Sequence, residues 1–401
     1  MLVTLGVEEE LQAVDALTGA LVPHDLQPVT QVLPNGPGGI AHEMHKCAVE
    51  LQTPVCSGPD SVLASLSSLR SLTGKRAALQ GQSLVAAGLH PFSQWQSQPV
   101  HDDRPHYAHL LHEYGDIARS AMSFGLHIHL GLPEKRLRIP VMNALRSVLP
   151  EVLALSVNSP FHEGRDTGLA CWRHSVLGRY PRMGVPEIYP DEKAYFDRIA
   201  RLRRVGSLEP DQGMWDDLRL HHRYGTLEVR ICDTVTSLER VWLIVALLQC
   251  EVATLAQEAA QGKLPEAEPV MWIEENRWRA RRHGMDADLV DWARDEAVPT
   301  PVRYERWLAR LLPVAVKLGL WPRIELAVAA ALSERTGADQ QRIWHARSES
   351  FESLVKTLAD ATSEPWTVPA PARRIRAGNG KGQAVREPAS RPALQSGHAL
   401  P

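Results

Sequence analysis

The stretch Phe124-Gly125-Leu126-His127-Ile128-His129-Leu130 decides the fold class, because its polarity alternates at successive residues. On a strand its leucines and isoleucine share one face, and its two histidines share the other. The segments Val3 to Val14 and Tyr224 to Cys232 alternate in the same way. One apolar and one polar face per strand is typical of an antiparallel sheet, whereas the strands of a parallel sheet are apolar on both faces.

Most of the remaining chain has the i, i+3, i+4 apolar spacing of amphipathic helices. Strands come mostly early and helices mostly late, without a regular βαβ alternation. The sequence therefore predicts an α+β fold, a mainly antiparallel sheet backed by helices. The predicted helices are Asp60 to Gln82, Arg104 to Ala121, Val141 to Asn158, Leu238 to Gln261, Arg303 to Leu318, Ile324 to Thr336 and Asp339 to Ala361.

The composition is that of an ordinary globular protein. With 401 residues, 44% of them hydrophobic, and a net charge of −3, we expect no nucleic-acid partner and no membrane partner. The longest apolar run, Val241 to Leu248, is far shorter than the roughly 20 residues of a membrane span. The acidic N-terminus does not resemble a signal peptide. Five cysteines without a C-x-x-C pair argue against a disulfide scaffold and predict a cytoplasmic location.

The character of the sequence changes near residue 366. From Trp366 to Pro401 there are six basic residues against one acid, together with five prolines and four glycines. Such a segment buries too little apolar surface to offset the entropy lost on ordering. We predict one catalytic domain over residues 1–365 and a disordered, basic, Pro/Gly-rich tail over residues 366–401.

Four acidic residues are candidate ligands of a cation. Glu8 and Glu10 lie on one face of the first strand, and two carboxylates roughly 7 Å apart repel unless a cation lies between them. Glu43 and Glu50 are seven residues apart, so they share a face only if a bulge or turn interrupts the strand near Lys46-Cys47. For all four, a solvated surface acid is the alternative.

The polar faces of the two later strands carry histidine, acid and arginine. His127 and His129 share a face between two glycines, a spacing that suits one metal or one ligand. Glu228 and Arg230 alternate on the strand from Tyr224 to Cys232. They fit a metal carboxylate beside a phosphate-binding guanidinium, or a simple ion pair.

Further guanidinium groups come from two other segments, as Arg173 and Arg219. Many carboxylates and few cysteines suit the hard cations Mg²⁺ and Mn²⁺ better than zinc. Such cations together with arginines are what phosphoryl transfer from a nucleotide requires. A metal-dependent hydrolase that uses His127, His129 and the acids to activate water is the alternative.

Taken in order, these motifs resemble the bacterial carboxylate–amine ligases known as glutamate–cysteine ligase type 2. Each motif is weak alone, but the ordered set covers roughly residues 3 to 360. The motifs are Gly6-Val7-Glu8-Glu9-Glu10, Glu43, Val49-Glu50, Thr53-Pro54-Val55-Cys56, His90-Pro91-Phe92, Trp95, the stretch from Phe124 to Gly131, Asn158-Ser159-Pro160, Gly225 to Arg230, Asp233-Thr234 and Glu275 to Ala280.

The resemblance implies a glutamine-synthetase-like fold, in which a curved antiparallel sheet forms a funnel flanked by helices. It implies ATP-dependent amide formation, in which a glutamate-like carboxylate becomes an acyl phosphate and an amine, cysteine or another, displaces phosphate. Arg173 and Arg230 would be catalytic, and with Arg219 they would bind the nucleotide. The ligands of Mg²⁺, or of Mn²⁺, would be Glu8, Glu10, Glu43, Glu50, His127 and Glu228.

Several positions depart from the family pattern and leave the substrates open. Gly88-Leu89 stands where Gly-Thr is common, and Arg173-His174 stands where Arg-Pro is common. A catalytically silent binding protein of the same fold remains as a further alternative for the function. A homodimer remains as an alternative to a monomer.

Overall fold

The structure is a computed structural model that describes residues 3–33, 36–209 and 213–366. The predicted tail lies outside these residues, apart from Trp366. The indole of Trp366 donates a 2.6 Å hydrogen bond to Glu239. The described part of the chain forms one compact unit.

The main sheet has eight strands, and neighbouring strands in it pair antiparallel. The strands are β1 (Thr4–Asp15), β2 (Val29–Leu33), β3 (Gly36–His42), β4 (Ala48–Gln52), β5 (Gln82–Val85), β6 (Gly125–Gly131), β11 (Leu218–Leu220) and β12 (Leu227–Asp233). Seven of them follow the order β11-β12-β6-β1-β4-β3-β2, and β5 pairs with the far end of β1.

Three two-stranded ribbons lie outside this sheet. They are β7 (Phe161–His162) with β8 (Arg165–Asp166), β9 (Met183–Gly184) with β10 (Trp215–Asp216), and β13 (Asp288–Asp291) with β14 (Glu296–Pro299). The pair β9–β10 is parallel, and it brings two distant parts of the chain together beside the main sheet.

Thirteen α-helices are found in the described residues. They are α1 (Pro59–Ala78), α2 (Pro105–Tyr114), α3 (Asp116–Ser120), α4 (Lys135–Leu145), α5 (Leu149–Ser156), α6 (Arg173–Leu177), α7 (Glu192–Arg204), α8 (Leu238–Ala260), α9 (Val270–His283), α10 (Thr300–Lys317), α11 (Trp321–Ser333), α12 (Gly337–Ser348) and α13 (Phe351–Ser363).

The core lies on one side of the sheet, around α8. This helix is buried from Val241 to Ala256 on all its faces, because α1, α4, α10 and α11 surround it. Leu126, Ile128 and Leu130 of β6 point into the same core and are fully buried. The polar residues between them therefore lie on the opposite face of the sheet.

Three helix predictions were wrong in detail. The segment predicted as Arg104 to Ala121 is divided into α2 and α3 at Gly115, whose positive φ of 52° favours glycine. The segment predicted as Val141 to Asn158 contains the end of α4, a 3₁₀ turn and α5. The segment predicted as Asp339 to Ala361 is divided near Glu349 into α12 and α13. Helices α6, α7 and α9 were not predicted.

Among the described residues, no helix is long and apolar enough to cross a bilayer. The five cysteines are buried and unpaired.

Candidate active site

The register of four neighbouring strands aligns the polar residues across the open face of the sheet. Glu10 on β1 is directly opposite Glu50 on β4. Glu8 on β1 is opposite His127 on β6. Side chains opposite each other on antiparallel strands lie about 5 Å apart on the same face, so the alternating pattern becomes a continuous polar surface.

The turn between β3 and β4 brings Glu43 to this surface. Lys46 and Cys47 form the turn. Two hydrogen bonds hold it, because the Lys46 amide donates to the carbonyl of Pro99 and the Ala48 amide donates to the carbonyl of His45. The interruption required by the odd spacing of Glu43 and Glu50 is therefore present.

Glu10, Glu43 and Glu50 form a three-carboxylate group in which one oxygen of each lies within 4.8 Å of the others. Burial raises the pKa of all three carboxyls. The charge of Glu10 adds to the rise at Glu43, which reaches a pKa of about 7, and the charge of Glu43 adds to the rise at Glu50. Gln52 Nε2 donates to Glu50 Oε1 over 2.5 Å. Because the group contains only oxygen donors and carries excess negative charge, it fits a hard divalent cation.

A second group consists of Glu8, His129 and Glu228, again with ligand atoms within 4.8 Å of one another. His129 Nδ1 is 2.8 Å from the hydroxyl of Thr226, which turns Nε2 toward Glu8 at 3.5 Å. Burial alone would raise the pKa of Glu8, but hydrogen bonds with His127 and His129 outweigh it and hold that pKa below its usual range. The second group therefore presents an ionised carboxylate beside a ring nitrogen.

His127 stands between the two groups. Its Nδ1 is 3.5 Å from Glu8 and its Nε2 is 4.0 Å from Glu10, while Arg230 Nη1 lies 3.4 Å from Nδ1. Burial, reinforced by the charge of Arg230, lowers the pKa of His127 to about 4. A neutral ring at this place can donate a lone pair to a cation in either group.

Two arginines neutralise Glu228, which is fully buried. Arg219 donates from Nε and Nη2 over 2.7 and 3.0 Å, and Arg230 Nη1 forms a short hydrogen bond with Oε1. Burial would raise the pKa of Glu228, but the two guanidinium groups hold it well below its usual range. One lone pair of Oε2 stays available, so the ion pairs leave room for a cation at Glu228.

Arg173 lies beside the three-carboxylate group because Gly125 has no side chain. A Cβ at position 125 would collide with the Arg173 guanidinium, and the Gly125 amide donates to Glu10. The Arg173 backbone amide donates to the Ser159 hydroxyl, which itself donates to Asp233 over 2.7 Å. Arg173 is thus a nearly buried cation held over the middle of the sheet.

A second buried network supports the same wall of the cleft. Arg277 Nε is 2.7 Å from Asp217, and Arg277 Nη2 is 2.7 Å from His174 Nδ1. His174 Nε2 is 2.7 Å from the carbonyl of Ile231. Because that nitrogen must donate, Nδ1 accepts from Arg277, and the ring is neutral. Burial, reinforced by the charge of Arg277, holds the pKa of His174 well below its usual range.

The three-carboxylate group, Glu8, His127 and the three arginines line one cleft with a cavity volume of about 540 Å³. Glu228 is fully buried, and it reaches this site through its place in the group of Glu8 and His129. A family model described as "Glutamate-cysteine ligase family 2 (GCS2)" matches residues 4–360. The chain belongs to this family. A Rubrobacter xylanophilus protein named as glutamate–cysteine ligase 2-3 is 37% identical, with 90% of this chain and 97% of the relative covered. A Sorangium cellulosum protein named as glutamate–cysteine ligase 2 is 35% identical, with 90% and 96% covered.

Solved structures of lower identity share the fold of this glutamate–cysteine ligase family member. A glutamate–cysteine ligase from Francisella tularensis, solved in complex with AMP, superposes with a TM-score of 0.65 at 13% identity, covering 90% of this chain and 88% of that one. A bifunctional glutathione synthetase from Pasteurella multocida gives the same TM-score at 16% identity, covering 90% of this chain and 52% of that one. The predicted family, fold class and ligase assignment are confirmed.

The structure brings together every residue that the sequence offered for the site, although their roles stay predictions. The residues that line the cleft include Glu8, Glu10, Glu43, Glu50, His127 and the three arginines. The spacing of His127 and His129 suggested one metal or one ligand, but the resemblance did not include His129 among the metal ligands. In the structure His129 shares the group of Glu8 and Glu228. Asp217 and His174 were not predicted as site residues. Only the neighbouring motif residues Arg173 and Arg219 pointed toward them.

Proposed function

We propose that the protein is an ATP-dependent carboxylate–amine ligase that joins a glutamate-like carboxylate to an amine through an acyl phosphate. The observation that carries the proposal is the juxtaposition of Glu10, Glu43 and Glu50 with Arg173 and Arg230 in one cleft. Phosphoryl transfer needs divalent cations to neutralise the phosphates, and guanidinium groups to hold the transferring group. Family membership agrees with this chemistry.

The three-carboxylate group would hold one Mg²⁺ or Mn²⁺, and the group of Glu8, His129 and Glu228, with His127 beside it, would hold another. Bound there, such ions supply the positive charge that phosphate oxygens need. The donor sets fit this assignment, because they are carboxylate-rich and contain no thiolate.

The guanidinium groups would position the reacting centres. Arg230 extends from β12, the strand between β11 and β6, and is fixed by Glu228 on its own strand. Arg173 approaches from α6 above Gly125. Their planar, two-pronged donors match phosphate oxygens, so they would orient the γ-phosphate toward the substrate carboxylate. Arg219, which also binds Glu228, would contribute to nucleotide binding by holding that carboxylate in place.

The experiment is a substrate-pair screen for ADP release. With Mg²⁺ and ATP, turnover should require both glutamate and an amine, and it should stop when the metal is chelated. ADP release at the same rate with and without glutamate and the amine would contradict the proposal. Amide hydrolysis in the absence of ATP would also contradict it. A cytoplasmic location, where ATP and Mg²⁺ are supplied, remains the prediction from cysteine usage, and the oligomeric state stays open.

A further inference from the structure

The cleft is lined by apolar side chains as well as by the carboxylates and arginines. The apolar side chains come from the β3–β4 turn, α2, α6, the segment that follows α6, and the β10 strand. They are Met44, Tyr107, Leu110, Leu177, Tyr180 and Trp215. We call these six residues the aromatic wall.

The aromatic wall adjoins the three-carboxylate group. Met44 directly follows Glu43 in the chain. The hydroxyl of Tyr107 donates to the carbonyl of His42, the residue before Glu43. Leu110 lies one helical turn beyond Tyr107 on α2. A molecule held against this wall would therefore meet any group that is activated at the carboxylates.

The wall is built as a packed unit rather than left as a loose surface. The rings of Tyr114, Tyr180 and Trp215 contact one another with centroid separations of 5.2, 5.6 and 5.0 Å. The Tyr114 hydroxyl accepts a 2.9 Å hydrogen bond from Arg182. Met44 belongs to a small core cluster, against which Tyr107, Tyr114 and Tyr180 pack. Edge-to-face packing of this kind fixes ring positions, so the wall offers a preformed apolar surface.

The aromatic wall carries no charge of its own. None of its six residues is charged at neutral pH, and Tyr180 stays neutral because burial raises its pKa. The charged residues that line the same cleft include Arg173, Arg223 and Arg230. The wall itself therefore offers contacts to an apolar body, and it offers no partner to a charged group.

We propose, on the basis of the ligase function above, that the aromatic wall binds the acceptor as a primary amine with an aromatic or branched aliphatic body. The neutral amine attacks the carbonyl carbon of the acyl phosphate. The C–N bond forms, the bond between the carbonyl carbon and the phosphate oxygen breaks, and the amine proton leaves with inorganic phosphate. Cysteine, whose side chain is small and polar, would be the poorer acceptor.

The test compares three acceptors with ATP, Mg²⁺ and glutamate: hydroxylamine, cysteine and phenethylamine. Hydroxylamine is too small to need the wall, so formation of the γ-glutamyl hydroxamate reports the ligase function alone. We expect kcat/KM for phenethylamine to exceed that for cysteine at least about tenfold, because a buried phenyl ring gains far more than a thiol. Hydroxamate formation with cysteine preferred would overturn this inference and leave the ligase function intact. Failure to form any hydroxamate would overturn the ligase function itself.

Substitutions in the wall separate binding from folding. We expect Trp215→Ala to lower kcat/KM for phenethylamine at least about ten times more than for hydroxylamine. Leu177→Ala, at a half-buried position, should shift the same ratio in the same direction. Leu326→Ala is the matched control, because Leu326 is 61% exposed on α11, and it should leave the ratio unchanged. Equal losses with both amines in Trp215→Ala and Leu177→Ala would show a structural role and refute the acceptor assignment.

Discussion

Glu50→Gln should stabilise the metal-free protein while it abolishes activity. The side chain of Glu50 is buried, and an oxygen lies within 4.8 Å of oxygens of both Glu10 and Glu43. At an effective dielectric constant of about 20, two full charges at that distance repel by about 3.5 kcal/mol. Protonation relieves most of this repulsion, because burial and Glu43 raise the pKa of Glu50 well above its usual range.

The remaining gain for the neutral amide is therefore about 1 kcal/mol. A domain of this length shifts its melting temperature by about 1–1.5 °C per kcal/mol, at about 2.1 cal/mol/K of unfolding entropy per residue. Glutamine keeps an oxygen that can accept the hydrogen bond from Gln52. We therefore expect the Tm of the metal-free variant to equal or exceed that of the wild type by up to about 2 °C.

The response to Mg²⁺ should show the opposite trend. At 100 times its dissociation constant, a ligand that binds only the folded state adds about 2.7 kcal/mol of stability, or about 3–4 °C. The wild type should gain this shift, and Glu50→Gln should lose most of it together with about 10²-fold or more in turnover. The assay is thermal denaturation with and without Mg²⁺, paired with ADP release, and exposed Glu305→Gln is the control. A variant that melts several degrees lower and keeps the Mg²⁺ shift would refute the reasoning.

Three further substitutions test the arginines and their supports. Arg230→Lys should lower turnover about 10²-fold or more, because lysine keeps the charge but not the planar donor pair; full activity by ADP release would reduce Arg230 to an ion-pair partner of Glu228. Gly125→Ala should lower turnover strongly, because the new Cβ collides with the Arg173 guanidinium, and an unchanged kcat would show that Arg173 can move without consequence. Asp233→Asn should cost about 1–3 kcal/mol in urea unfolding, because it disturbs a buried acceptor of three hydrogen bonds. The variant should also lower kcat by a larger factor than it changes KM. Normal kinetics in the folded variant would show that Asp233 does not position Arg173.

The polar face of the sheet could be predicted because strand periodicity is local. Glu8 and Glu10 follow the period of β1, and Glu9, on the opposite face, instead forms a buried ion pair with Arg70 of α1 at 2.6 Å. The approach of Glu43 to Glu50 could not be derived, because it depends on a turn held by Pro99, which is distant in sequence.

Among the helices that were not predicted, α7 and α9 escaped because their buried faces are polar or small. In α9 the buried residues include Asn276 and Arg277. The buried face of α9 therefore has helical spacing, but its apolar residues alone do not show that spacing. In α7 only Tyr195 and Ile199 are buried. The aromatic wall was missed for a different reason, since its residues come from separate elements between positions 44 and 215 and follow no common period.

The most direct test of the ligase mechanism follows oxygen from substrate to phosphate. Glutamate labelled with ¹⁸O in its side-chain carboxylate is incubated with the protein, ATP, Mg²⁺ and hydroxylamine, and the inorganic phosphate is analysed by mass spectrometry. An acyl phosphate requires the carboxylate oxygen that attacked the γ-phosphorus to leave with that phosphorus. We therefore predict one ¹⁸O atom in each phosphate released with hydroxamate. Phosphate free of ¹⁸O, with hydroxamate formed, would contradict the acyl-phosphate mechanism.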